Sequence, residues 1–372
     1  MKIAYLLGSL NRGGTETLLL DVLSNASSLQ LDAIAICRKG GVLETSFVQS
    51  SVPLYKIPVQ KNIFQYLRTL RKTLIQNNVQ VVHAQQPIDA MLSWAACKGT
   101  KIKIVLTWHG YDFHAGRLSS FIYNFVIKRV NNIFVSREQQ TYYSQQYKLN
   151  PQRSHVVYNG IDFSKFNISN SSNTNLRKEL NIPQETLLLG SVGNFVQGRD
   201  QMTLCRFLKL LQEQNVLFHF IFVGKRFDDS SQKYDDCVDF CQRNNLSNQV
   251  HFLGSRQDVP QILTQLDAFL YATDHDTFGI SVVEAIAAGI PVFVNDWGVM
   301  KEITENGKYA TLYKTKNEND LLRQFMLFLK DKSISNKKTV CSSDYIRKKY
   351  SIEKHIFELK KTYTNLIDEK SC

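Results

Sequence analysis

The chain has 372 residues, 43% hydrophobic and 21% charged, the balance of a soluble globular protein with room for two ordinary domains. Its opening IAYLLGSL is too short and too soon ended by glycine for a secretory signal, and no apolar run reaches the roughly 18 residues of a membrane span. Seven cysteines without a Cys-x-x-Cys pair point to reduced thiols and a cytosolic compartment, which excludes a disulfide scaffold. Cys237 and Cys241 lie one helical turn apart, but no histidine cluster accompanies them, which argues against a metal site.

The net charge of +12 is lopsided. Residues 1–165 hold 19 Lys and Arg against 8 Asp and Glu, whereas residues 166–372 hold 26 against 25. A basic first half suits an anionic partner such as a lipid surface, a pyrophosphate-bearing acceptor or nucleic acid; solvated surface charge is the plain alternative.

In chain order, residues 2–7 read as a strand and the loop GSLNRGGTE leads into a helix from Leu18. Strand, glycine pair and helix start make a phosphate-approach loop at Gly14, although not the G-x-G-x-x-G fingerprint. Strands are predicted at 31–37, 53–57, 79–83, 102–107, 133–136 and 155–158, with helices between several of them, the pattern of a doubly wound parallel sheet. Ligands of such sheets sit at the carboxyl ends of strands, where His83 and His109 fall. A helix over 63–75 carries Ile63, Leu67, Leu70 and Leu74 on one face, with Arg68, Arg71 and Lys72 around the rest. A second, over 118–129, combines an aromatic-rich segment at 121–126 with Lys128 and Arg129. Such helices lie on anionic membranes or pack ordinary cores. From Asn159 the chain turns rich in Asn and Ser and reads as a linker.

The theme then restarts: a strand over 186–192, the loop GNFVQGRD from Gly193, a helix through Leu211, and strands at 217–224, 250–254 and 267–271. The stretch from Asp274 to Trp297 follows, DHDTFGISVVEAIAAGIPVFVNDW. Its helix opens at Gly279 and Ile280 and closes at Gly289, and residues 291–294 are a buried strand. Glu284 is its lone charge between Asp276 and Asp296, costly to bury without a polar partner. A helix start attracts phosphate, Gly279 lets a ligand approach the backbone, and Asp276 offers a carboxylate free to accept hydroxyl hydrogen bonds. Phosphate and hydroxyls together describe a nucleotide sugar; a crossover helix with one accidental acid is the bland alternative. The strand over 311–313 closes the second sheet, and the tail from 343 is charged and helical.

The Asp276-(seven residues)-Glu284 spacing, GGTE, TWHGYD, NGID and the loop from Gly193 resemble, as an ordered set, retaining glycosyltransferases of the GT-B fold, family 4. The likeness is loose over 1–165 and close over 186–310. It implies an α/β fold of two Rossmann-like, doubly wound domains facing a central cleft. An acceptor-side domain would take 1–165, a nucleotide-sugar domain 166–342, and a helix over 343–372 would cross back to the first. It implies that His109, Arg199 and Asp276 act in catalysis, and that Gly14, Asn194, Arg199, Phe252, Phe278, Gly279, Ile280 and Glu284 bind the donor. No metal and no cofactor are implied, the donor being a nucleotide diphosphate sugar. The acceptor would be a glycan or lipid-linked saccharide in cell-surface polysaccharide synthesis. The enzyme would be cytoplasmic and peripheral at the inner face of an anionic membrane, with no nucleic-acid partner. Two departures stand out: Asp276 where the family usually has Glu, and Asn194 where it has Arg.

Other readings fit less of the chain. A retaining glycoside hydrolase needs carboxyl groups ~5–5.5 Å apart across a scissile bond and has no use for two glycine-rich loops. Asp274-x-Asp276 spells the metal signature of the other glycosyltransferase fold, in the wrong half of the chain. A non-catalytic nucleotide-sugar-binding protein accommodates the departures at Asn194 and Asp276. Nucleic-acid binding lacks an aromatic and basic ladder.

Overall fold

Five consecutive buried residues in the strand Lys2–Leu7 leave no face for water, so helices must cover both sides of its sheet. The computed structural model describes residues 1–368 apart from 12, 51, 60–61, 114, 167–174, 229–230 and 332–341. Seven parallel strands build the first sheet: β1 (Lys2–Leu7), β2 (Asp32–Cys37), β3 (Leu54–Lys56), β4 (Val81–Ala84), β5 (Lys103–Trp108), β6 (Asn131–Phe134) and β7 (Ser154–Val156). Six build the second: β8 (Leu187–Val192), β9 (Phe218–Val223), β10 (Val250–Phe252), β11 (Ala268–Tyr271), β12 (Val292–Asn295) and β13 (Thr311–Tyr313). The orders are β3-β2-β1-β4-β5-β6-β7 and β10-β9-β8-β11-β12-β13, every pairing parallel. Both are doubly wound, and strand order reverses between β1 and β4 and between β8 and β11. Those reversals are where a crevice opens at the carboxyl edge.

The chain divides into two compact units, Met1–Asp162 with Tyr350–Cys372, and Phe163–Lys349. The tail is two helices, 342–349 and Ile352–Asp368, with a break at Tyr350 and Ser351. At that break Ile161 N donates to Tyr350 O at 2.9 Å and Ile352 N to Ile161 O at 3.0 Å. The last helix buries Ile352, Ile356, Leu359, Tyr363 and Leu366 in the core that backs β1 and β2.

Three surface expectations change. The helix Ile63–Gln76 buries Tyr66, Leu70 and Leu74, while Ile63 is exposed. Arg71 is not on a free basic face: its Nη1 donates to Ala96 O and Lys98 O, both at 2.8 Å, closing the end of the helix Pro87–Ala96. In the helix Arg117–Arg129, Val126 is buried and Arg129 lies 4.2 Å over the Phe125 ring, so the segment 121–126 is only partly surface.

His83 does not face the edge of the sheet. It is buried, with Nδ1 2.6 Å from Tyr363 Oη and Nε2 2.6 Å from Thr107 Oγ1. Tyr363 Oη lies 3.1 Å from Tyr5 Oη, so this chain of polar atoms pins the last helix to the first sheet.

Candidate active site

At the β8/β11 reversal, two loops are laced together. Thr273 Oγ1 donates to Gly198 O at 2.6 Å, Asp274 N donates to the same oxygen at 3.1 Å, and Asp200 N donates to Ala272 O at 3.1 Å. Gly198 sits at φ +92°, and a Cβ there would fall 2.6 Å from the His275 ring, so the crossing tolerates only glycine. The lacing delivers Arg199 from the first loop against Asp276 from the second.

Asp276 is the hub. Its Oδ2 accepts from Arg199 Nη1 and from Tyr271 Oη, each at 2.5 Å, and its Oδ1 accepts from Thr277 N at 2.9 Å. The Arg199 guanidinium also lies 4.8 Å over the Tyr271 ring. The carboxylate is therefore engaged rather than free, because a half-buried acid at a reversal point needs cationic and phenolic partners. Tyr271 had no sequence signal: as the last residue of a buried strand it reads as core.

Three residues after Asp276, Gly279 at φ +83° starts the helix Ile280–Ala287 and gives it no side-chain cap. A Cβ at Gly279 would meet Met300 Cε at 2.7 Å, and left-handed φ strains any other residue. Phe278 is buried, with its N–H 3.5 Å from Asp276 Oδ1, and Ile280 is half-buried at the first helical position. Glu284 is half-buried between the fully buried Val283 and Ala285. The helix's far end is closed by Ser343 Oγ and Arg347 Nε on Ala287 O, at 2.7 and 3.0 Å.

Asn194 holds the neighbouring loop. Its Oδ1 accepts from Lys225 N at 2.8 Å, and Gln201 Nε2 donates to its carbonyl at 3.1 Å. Phe252 ends β10 half-buried, with its ring 5.1 Å from Phe222 and 6.0 Å from Phe195. Asp274 is held by His275 Nδ1 at 2.6 Å and Lys316 Nζ at 3.2 Å. Among the described residues no three His, Cys, Asp or Glu cluster as a metal set.

Gly14 and His109 belong to the first unit. Gly14 is the first residue of the helix Gly14–Ser24, and a Cβ there would meet nothing within 4 Å. His109 follows β5, with Nε2 2.8 Å from Gln85 Oε1. Gln85 Nε2 donates to His83 O at 3.5 Å, which turns its oxygen to the histidine and places the imidazole proton on Nε2. Burial, then the nearby His355, push the His109 pKa down to about 4, so the ring is neutral in ordinary buffers. Gln85, the first residue beyond β4, is a partner the sequence did not announce.

The model described as glycosyl transferases group 1 matches residues 172–344, and that described as Glycosyltransferase Family 4 matches 12–165. The chain belongs to the GT-B glycosyltransferases of the group 1 and family 4 type. This glycosyltransferase is 21% identical over 359 residues to the UDP-Gal:alpha-D-GlcNAc-diphosphoundecaprenol alpha-1,3-galactosyltransferase of Escherichia coli, covering 92% of this chain and 91% of that one. It is 22% identical to the O-antigen biosynthesis glycosyltransferase WclY of Escherichia coli, covering 91% and 95%. Among solved structures, a glycosyltransferase from Rickettsia africae superposes at TM-score 0.88 with 17% identity, covering 99% of each chain. Anabaena HepE, in complex with UDP and glucose, gives 0.85 with 21% identity, covering 98% of this chain and all of that one.

Proposed function

We propose that this glycosyltransferase moves a sugar from a nucleotide diphosphate sugar to a hydroxyl of a glycan or lipid-linked saccharide, retaining anomeric configuration and needing no metal. In this reading residues 1–165 form the acceptor side, 166–342 the donor side, and 343–372 the tail. The observation that carries it is the Arg199–Asp276 contact three residues before the uncapped helix start at Gly279. An arginine and a helix N-terminus side by side suit a diphosphate, and an acid between them suits sugar hydroxyls. A guanidinium has five N–H donors, so the Asp276 bond leaves others for phosphate oxygens.

The bond from the anomeric carbon to the phosphate oxygen breaks as the acceptor oxygen bonds on the same face. The acceptor's proton passes to the departing phosphate oxygen, giving nucleoside diphosphate and the new glycoside. Arg199, the helix start and the Gly14 backbone offset the charge that develops on the leaving group. Glu284 takes the ribose, the Asn194 loop and the Phe252 backbone take the rest of the nucleotide, and His109 approaches the reacting sugar as a neutral acceptor of hydrogen bonds. The pairing of Asp274 with His275 and Lys316, and of Asp276 with Arg199, supports a metal-free reaction, because both carboxylates already face cationic or nitrogen partners.

The names of the Escherichia coli relatives, one a diphosphoundecaprenol-linked substrate and one O-antigen biosynthesis, favour a lipid-linked acceptor in cell-surface polysaccharide synthesis. No helix among the described residues is long and apolar enough to cross a membrane. Phe64 (78% exposed), Leu118 (73%) and Phe121 (63%), near Arg68, Lys72 and Arg117 in sequence, support peripheral attachment to an anionic cytoplasmic leaflet. The test is a panel of UDP-, GDP- and ADP-sugars assayed for nucleoside diphosphate release, with the product's anomeric proton read by NMR. Inversion would overturn retention, and binding without release from any donor would favour a non-catalytic nucleotide-sugar-binding protein.

A further inference from the structure

Immediately beyond β5, residues 109–113 turn off the sheet as a loop that is braced from one side. Gln139 Nε2 and Tyr143 Oη donate to Gly110 O at 2.9 and 3.2 Å. Tyr142 Oη donates to Asp112 Oδ1 at 2.6 Å, and Tyr147 Oη donates to Asp112 Oδ2 at 2.5 Å. Gln139, Tyr142 and Tyr143 lie on the helix Arg137–Gln146, and Tyr147 is its C-cap. A carboxylate that accepts one phenol on each oxygen fixes both the loop and the two rings, since charge-assisted bonds are short and strong. The same contacts, after burial, push the Tyr142 and Tyr147 pKa values up, so both remain phenols able to donate.

This brace carries an aromatic surface. Tyr111 and Phe113 stack at 4.8 Å between centroids and 22° between planes. Tyr142 stands edge-on to both, at 4.8 and 5.0 Å and at 76° and 82°. Phe113 is 42% exposed, which is unusual for a ring held this firmly. A hydroxyl-rich pyranose also has an apolar C–H face, and a rigid ring presents a matching surface with little rotamer entropy to lose. Chain geometry limits Tyr111 and Phe113 to about 7 and 14 Å from His109, Cα to Cα, the span of a short saccharide.

We propose that Tyr111 and Phe113 form a stacking subsite for a sugar unit of the acceptor, and that Asp112 is the positioning residue that sets the platform through Tyr142 and Tyr147. Calling that sugar the acceptor rests on the transferase reading above; the stacking itself does not. The platform lies in the first unit, whereas Arg199, Asp276 and Glu284 belong to the second.

Saturation-transfer NMR on the full chain tests it, irradiating aromatic protons and using methyl β-glucoside, methyl β-galactoside and methyl N-acetyl-β-glucosaminide as probes. Wild type should transfer saturation to the ring protons of at least one probe. Phe113→Ser and Tyr111→Ser should weaken that probe about tenfold, the scale of one lost ring contact. Asp112→Asn should weaken it too, while the KM for acceptor-free donor hydrolysis stays unchanged in all three variants, a split that general unfolding would not give. No transfer from any probe, or equal transfer in the variants, overturns the subsite. Unchanged sugar transfer with lost liposome flotation in Phe113→Ser assigns the ring to a lipid surface and overturns it as well. A stacking signal with no donor cleavage in wild type supports the subsite while removing the transferase reading.

Discussion

Asp276 Oδ2 receives both Arg199 Nη1 and Tyr271 Oη at 2.5 Å, so one carboxylate oxygen joins the last residue of β11 to the loop after β8. Loss of any member should therefore alter the other two, and the three should behave as one unit in kinetics. Asp276→Ala is expected to lower kcat more than it changes the donor KM. Combined with Tyr271→Phe it should cost less than the two single effects together, with a coupling of about 0.5–3 kcal/mol. Additive effects in a double-mutant cycle would separate Tyr271 from the site.

Glu284→Gln should raise the donor KM more than it lowers kcat, because a ribose contact is alike in ground and transition states. Steady-state kinetics with varied donor decides this. An unchanged KM would return Glu284 to an acid on a crossover helix.

Chelation provides a third check. With Asp274 facing His275 and Lys316, transfer should persist in EDTA at the rate seen without it. Strict recovery by Mn²⁺ or Mg²⁺ would instead make Asp274 and Asp276 metal ligands.

Acid should loosen the first unit. Burial lowers the pKa of His83 well below its usual value and those of His109 and His355 to about 4, so each is neutral when folded. The unfolded chain binds those protons near pH 6.5, so this contribution is complete above about pH 6.5 and is lost as pH falls toward 4. Denaturation midpoints should be flat from pH 8 to about 6.5 and decline below it. Equal midpoints at pH 7 and pH 5 would contradict the buried neutral imidazoles.

Attachment to lipid should be peripheral. Flotation with anionic liposomes is expected at low salt, should weaken at high salt, and should fall in Phe64→Ser with Phe121→Ser, since both rings are exposed. Equal absence from anionic and neutral liposomes at both salt concentrations would remove the membrane while leaving the enzyme.

Much of this was legible in the sequence for identifiable reasons. Parallel strands buried on both faces must be apolar runs, so FHFIFV and its counterparts mark both sheets, and Gly14, Gly198 and Gly279 mark the loops where strands hand over to helices. Spacing and resemblance single out Arg199, Asp276 and Glu284, and the first two meet in the structure. What spacing cannot reveal is partner choice. Tyr271 and Gln85 look like a core residue and a loop residue, Arg71 looks solvated yet closes a helix end, and Asn194 looks like a lost cation yet anchors Lys225 N. The break between the tail helices depends on Ile161, almost two hundred residues away, and no local pattern encodes it.

The most direct test of the central claim is nucleoside diphosphate release from the nucleotide-sugar panel by wild type and by Arg199→Ala. The account predicts release from at least one donor by wild type and a kcat lower by ~10²–10³ in the variant, the scale of one lost preorganised donor. Release at equal rates by the two proteins would contradict it.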